Sequence, residues 1–142
     1  MKAHINAITL AVSDLERSVC FYRDGLGLSS PGVVGTEFVR DERTPGGSVA
    51  MFTLDGGLIL SLYSRTDLAL DAGIARERVA GSPISLGFFA ESREGVDHIL
   101  QQAEQAGGTI VRPPLVRPWG IYAGYFSDPD GHLWEAVYFL NN

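Results

Sequence analysis

The chain has little of what several classes of function require. It contains one cysteine, Cys20, in 142 residues, so no disulfide forms within it. No histidine or basic residue is fixed beside Cys20, so it is not a candidate nucleophile. Basic residues are outnumbered, with 11 Lys and Arg against 17 Asp and Glu and a net charge of −6. An acidic chain with no basic cluster repels phosphate backbones, and no nucleic-acid partner is expected. No apolar run approaches the roughly 18 residues of a membrane span, so no membrane partner is expected either. The segment Met1-Lys2-Ala3-His4-Ile5-Asn6 leads towards Asp14-Leu15-Glu16-Arg17 without a signal-peptide pattern, and the expected location is cytoplasmic. There is no Ser-His-Asp arrangement, no phosphate-cradling loop and no dinucleotide fingerprint. Gly25-x-Gly27 opens no helix after a strand. The expectation is that no cofactor is used.

What is plentiful is glycine, at 17 residues, well above the usual share of about 7%. That favours a turn-rich, strand-rich fold. The length suits one domain. It is also twice 71, which directs attention to an internal repeat.

The repeat is visible in the pattern. Residues 5–12 alternate as a strand, with Ile8, Leu10 and Val12 on one face. Ser13 and Glu16 read as a capping box for a helix whose stripe is Leu15, Val19, Tyr22 and Leu26. Strands are predicted at 36–40, 48–54 and 58–63, the last two separated by Asp55-Gly56-Gly57. A short helix is predicted within a connector over 65–82. A second β-α-β-β-β order then follows. A strand at 84–89 leads to a helix capped by Ser92, with the stripe Val96, Ile99, Leu100 and Ala103. Strands are predicted at 109–112, 121–126 and 132–140, the last two joined by the tight turn Asp128-Pro129-Asp130-Gly131. Pro113, Pro114 and Pro118 suit a strand edge or a loop. Shifting the last hairpin back by 74 residues places Phe126 on Phe52, Gly131 on Gly57 and Glu135 on Ser61. A shift near 76 places Ile84 on Ile8 and Leu86 on Leu10.

Two motifs carry a family resemblance. The first is Val12-Ser13-Asp14-Leu15-Glu16-Arg17-Ser18 followed by Phe21-Tyr22-Arg23-Asp24-Gly25-Leu26-Gly27-Leu28. The second is Tyr125-Phe126-Ser127-Asp128-Pro129-Asp130-Gly131-His132-Leu133-Trp134-Glu135. With the duplicated order they resemble the vicinal oxygen chelate superfamily of glyoxalase I, bleomycin resistance proteins and extradiol dioxygenases. The resemblance implies an α+β fold in which two tandem βαβββ modules form a curled, cup-like mixed sheet with helices outside. The modules are expected at about 4–64 and 83–140 of a single domain. It also implies a homodimer.

In metal-using members of that superfamily four side chains, typically His, Glu or His, His and Glu, point into the cup. Carried onto this chain, those positions fall at Ala7, Ser61, Pro83 (or a residue to either side) and Glu135. One carboxylate does not hold a divalent ion. His4, His98 and His132 lie on different elements, with no further ligand at the required spacing. No metal is therefore expected, which argues against glyoxalase I activity and metal-dependent ring cleavage.

If Glu135 points into the cup, as the resemblance implies, strand alternation adds to the lining Leu133 and Val137, with Ile59, Ser61, Tyr63, Ser85, Gly87 and Phe89. Trp119 and Tyr122 follow a loop rich in proline and arginine and are expected as a rim. The ligand-binding residues expected are thus Ser61, Tyr63, Ser85, Phe89, Trp119, Tyr122, Leu133 and Glu135. The lining is the mixture of apolar and few polar groups that holds a small molecule. A carboxylate among apolar groups is costly unless paired or protonated. For Glu135 three roles stand open. It is a general acid or base, it holds a cationic ligand or an ordered water, or it is satisfied by Ser61, Tyr63 or an arginine and has no function. A salt bridge to Arg117 or Arg40 would favour the last. The leading expectation is metal-independent binding of a small, partly apolar molecule. The alternative is a lyase, isomerase or dioxygenase-like enzyme of the same superfamily, with Glu135 as its catalytic acid or base or as part of an unrecognised metal site.

Overall fold

A computed structural model describes residues 3–79 and 84–140. The chain divides into two compact units, residues 1–81 and 82–142. In the first, strand β1 (Ala7–Val12) leads to helix α1 (Leu15–Val19), which widens into a π-type turn over Cys20–Gly25. Strands β2 (Val33–Val34), β3 (Val49–Thr53) and β4 (Ile59–Ser64) follow, then helix α2 (Arg65–Ala72) and a 3-10 turn at Arg76–Val79. The second unit runs β5 (Ser85–Phe89), α3 (Arg93–Gln105), β6 (Thr109–Arg117), β7 (Ile121–Ser127) and β8 (Leu133–Phe139). Each unit builds a four-stranded mixed sheet, in the orders β1-β4-β3-β2 and β5-β8-β7-β6. In each, the first strand lies parallel to the last and the other pairs are antiparallel. The fold is therefore α+β, made of two βαβββ modules.

Register corrects the repeat in one detail. Ala7 pairs with Ile59 and Ser85 with Leu133. The last strands match at a shift of 74, and the first strands then match at 78 rather than 76. The discrepancy of two residues is even, so every side chain keeps its predicted face.

Local chemistry explains the elements, with three departures from expectation. The cap of α1 is Asp14 rather than Ser13. The carboxylate of Asp14 accepts from the Arg17 amide at 3.1 Å, while the Ser13 hydroxyl accepts from the Arg17 guanidinium at 2.9 Å. Residues 36–40 form no strand, and the short β2 precedes them. The third departure is β6, which does not stop at residue 112 but continues through Pro113 and Pro114. It shifts register between Ile110 and Arg112 and again between Arg112 and Leu115. As the outer strand of its sheet it tolerates residues that donate no ladder bond. The Ser92 cap of α3 is as expected, accepting from the Gly95 amide at 3.0 Å.

Helices α1 and α3 each bury their apolar side on one face of their own sheet. In the first unit Val19, Phe21 and Tyr22 are buried with Phe52, Leu60 and Leu62. Tyr22 packs edge-on to Phe21 at 4.9 Å and to Phe52 at 6.2 Å between ring centres. In the second, Val96, Leu100 and Ala103 of α3 are buried with Phe126, Trp134 and Ala136. Gly124 sits under that helix. A Cβ there would lie 2.6 Å from Leu100 Cδ1 and 3.0 Å from both the Arg112 carbonyl oxygen and the Pro114 nitrogen. The leucine can move but the backbone of β6 cannot. Gly124→Ala is expected to destabilise by about 1–3 kcal/mol through overpacking, read as a lowered urea midpoint. An unchanged midpoint would show that the edge strand yields.

Candidate functional site

The face of the second sheet that α3 leaves open carries the candidate site. On β8, Trp134, Ala136 and Tyr138 point under the helix, so Leu133, Glu135 and Val137 point the other way. Lateral pairing brings Ser85, Gly87 and Phe89 of β5 beside Leu133, Glu135 and Val137 in that order. On the other side, Ser127, Tyr125 and Ala123 of β7 lie beside the same three residues. Val137 and Ala123 are buried, Leu133, Glu135 and Tyr125 are half-buried, and Ser85, Gly87 and Phe89 are exposed. The Phe89 ring meets Phe139 edge to face at 5.1 Å and 88°.

Glu135 finds its partner in Tyr125, its direct cross-strand neighbour. Burial first, then the charge of Glu135 and a hydrogen bond to it, push the Tyr125 phenol above its ordinary value, while the nearby Arg117 opposes the rise. Tyr125 therefore stays protonated and donates to the carboxylate. Neither arginine considered from the sequence pairs with Glu135. Arg117 donates from Nη1 to the carbonyls of Leu115 at 2.7 Å and Ala123 at 3.2 Å. Arg40 is committed to Asp67, with 2.7 Å from its Nε to the Asp67 Oδ1.

Tyr125 was legible in the sequence. A hairpin turn centred on Asp130 pairs residues equidistant from it, and Tyr125 and Glu135 lie five residues to either side. Reading only the faces of single strands leaves that cross-strand partner out.

Other expected site residues fall elsewhere. Tyr122 does not share the face of Glu135. Its hydroxyl donates to Asp97 of α3 at 2.7 Å, and the Arg93 guanidinium lies 5.3 Å above its ring, so it braces the helix side. It is adjacent to Ala123 in sequence, which inverts its direction on the strand. Trp119 lies in the turn between β6 and β7 and is 71% exposed. That turn adjoins the Ile121–Phe139 pair, about 13 Å along the strands from the Tyr125–Glu135 pair.

In the first unit Ser61 is buried, in register with Thr9 and Met51. The Tyr63 hydroxyl is occupied, donating to the Gly46 carbonyl at 2.6 Å. Burial, followed by the charges of Asp67 and Asp71, raises its phenol above the usual range.

The residues do not fit a divalent ion at the positions the resemblance names. By register the counterpart of Ala7 in the second unit is Ser85, while Pro83 lies outside the described residues. The second unit thus offers one carboxylate and one hydroxyl, the first a methyl and a hydroxyl. Among the described residues no group of three His, Cys, Asp or Glu side chains is placed to hold a metal. His4 and His98 are exposed. His132 is buried in the β7–β8 turn, its amide donating to Asp128 at 2.8 Å. No helix among the described residues is long and apolar enough to cross a membrane.

Comparison with known proteins agrees with the two-module fold. The sequence model of the Glyoxalase/Bleomycin resistance protein/Dioxygenase superfamily matches residues 4–136. The metallothiol transferase FosB of Shouchella clausii is 31% identical over 134 residues, covering 93% of this chain and 77% of that protein. The uncharacterized protein YraH of Bacillus subtilis is 28% identical over 134 residues, covering 94% and 96%. Among solved structures, a glyoxalase-related enzyme from Fulvimarina pelagi superposes with a TM-score of 0.78 at 28% identity, over 96% of this chain and 88% of that one.

Proposed function

The chain belongs to the Glyoxalase/Bleomycin resistance protein/Dioxygenase superfamily, and from that premise we propose that it binds a small, partly apolar molecule without recruiting a divalent metal. The site is the open face of the second sheet. The observation that carries this reading is the Tyr125–Glu135 pair, a half-buried carboxylate satisfied by one phenol donor and set among apolar and aromatic neighbours. Such a floor gives a ligand apolar contact with Leu133 and Phe89, and one polar point that fixes its orientation. A relative named as a metallothiol transferase raises the question of a metal. The side chains at the superfamily's ligand positions speak against one here, since only Glu135 is a metal-binding type.

The test is a small-molecule screen followed through backbone amide resonances, with metal analysis of the same sample. Hits are expected to move the amides of Gly87, Tyr125 and Glu135, and to bind equally well after chelator treatment. Hits that leave all three amides unmoved, or binding that vanishes with a stoichiometric divalent ion, would sink the reading.

A further inference from the structure

A gap adjoins the carboxylate of the open face. Gly87 is the residue of β5 in register with Glu135, and its backbone is not in the left-handed region that demands glycine. Nor is a side chain excluded by crowding. A Cβ at Gly87 would meet nothing closer than the Glu135 carbonyl oxygen at 3.8 Å and Phe89 Cε1 at 3.9 Å. Glycine inside a strand weakens it, and one that neither φ nor crowding requires leaves the backbone open to close approach by another group.

The walls of this slot have a definite chemistry. Phe89 stands at one end, 74% exposed with its ring braced on Phe139. Glu135 and Tyr125 form the side across from Gly87. Among the described residues Glu135 makes no ion pair. The Nη1 group of the guanidinium on this face, Arg117, is occupied by two backbone carbonyls. A carboxylate that holds one phenol donor keeps lone pairs for further donors. Charge-assisted donors are the strongest it can take, and an aromatic face beside it favours a cation.

We propose that this slot recognises an organic ammonium carried on a flat apolar group. The ammonium donates to Glu135 and the apolar group lies over Gly87 against Phe89. The inference rests on the small-molecule reading of the same face and names its ligand class.

The test holds the ligand's shape constant and changes its charge. Wild-type protein is titrated at neutral pH with benzylamine, benzyl alcohol and phenylacetate, following the amides of Gly87 and Glu135. Benzylamine is expected to bind at least about tenfold more tightly than the other two. Glu135→Gln is expected to remove about that tenfold, bringing benzylamine down to the affinity of benzyl alcohol, and Gly87→Val to abolish binding of all three. Equal affinity for amine and alcohol, a preference for phenylacetate, or amine binding indifferent to Glu135→Gln would overturn the proposal. So would silence from all three probes while other small molecules move the same amides, and the small-molecule reading would then survive. If no small molecule moves those amides, both fail. The comparison of probes on the wild-type chain decides the question even if a variant does not fold.

Discussion

Asp67→Ala is expected to lower the unfolding free energy by about 3 kcal/mol, measured by urea denaturation near neutral pH. Asp67 is 4% exposed and gathers four donors. Arg40 reaches it through Nε at 2.7 Å and Nη2 at 3.2 Å, the Gly46 amide donates at 2.7 Å, and the Ser64 hydroxyl at 2.8 Å. Alanine leaves the buried Gly46 amide unsatisfied. Arg40 is half out of the protein and rehydrates, which keeps the loss towards the lower end for a broken buried pair.

The same carboxylate gives an acid signature. The hydrogen bond from Arg40, then those from Gly46 and Ser64, outweigh burial and hold Asp67 at about 2, against an ordinary value of 3.8. A folded-state value below the unfolded one stabilises above the unfolded value, and that stability is lost as pH falls through the folded value. The wild type should therefore lose about 2 kcal/mol between roughly pH 4 and pH 2 that Asp67→Ala does not lose. Parallel acid profiles for the two proteins, or an alanine variant within about 0.5 kcal/mol of wild type, would show that the cluster contributes little.

Asp67 also shows why part of the fold was illegible in the sequence. The sequence predicts a strand at 36–40, yet the segment is a loop held by contacts 21 and 27 residues away in sequence. Phe38 and Val39 are left 65% and 79% exposed. Nothing local announces such a latch, because Ser64 and Asp67 read equally well as an ordinary helix start. Strands β5, β7 and β8 of the second module were legible, since period-two patterning and the Asp128–Gly131 turn act over a few residues. That turn fixes the Tyr125–Glu135 pair as well. Gly87 was placed on the correct face by alternation. Its position opposite Glu135 depends on a parallel pairing across 48 residues, β5 with β8, which no turn specifies.

The face that carries Glu135 is itself set by what lies beneath it, and Trp134→Ala is expected to cost about 3–5 kcal/mol for that reason. Trp134 is 4% exposed and lies nearly parallel to two rings, Phe88 at 4.7 Å and Phe126 at 6.2 Å between ring centres. Truncation empties the largest volume under α3, where the neighbouring Phe126 and Ala136 are fully buried. It is a large share of the 5–15 kcal/mol that holds a domain of this kind together. Trp134→Phe keeps an aromatic ring in the stack and should cost appreciably less. Glu135→Gln, on the open face, should cost under about 1 kcal/mol. The measurement is urea unfolding of the three variants, with near-ultraviolet circular dichroism reporting the packing of the stack. If Trp134→Ala and Glu135→Gln cost the same, burial would not be what orients β8. If the order holds, the physical link is direct. Trp134 must be inside, adjacent residues on a strand point to opposite faces, and a slip of one residue would bury the carboxylate. The aromatic packing therefore keeps Glu135 on the sheet face away from α3, and a residue buried under the helix determines where the proposed site lies.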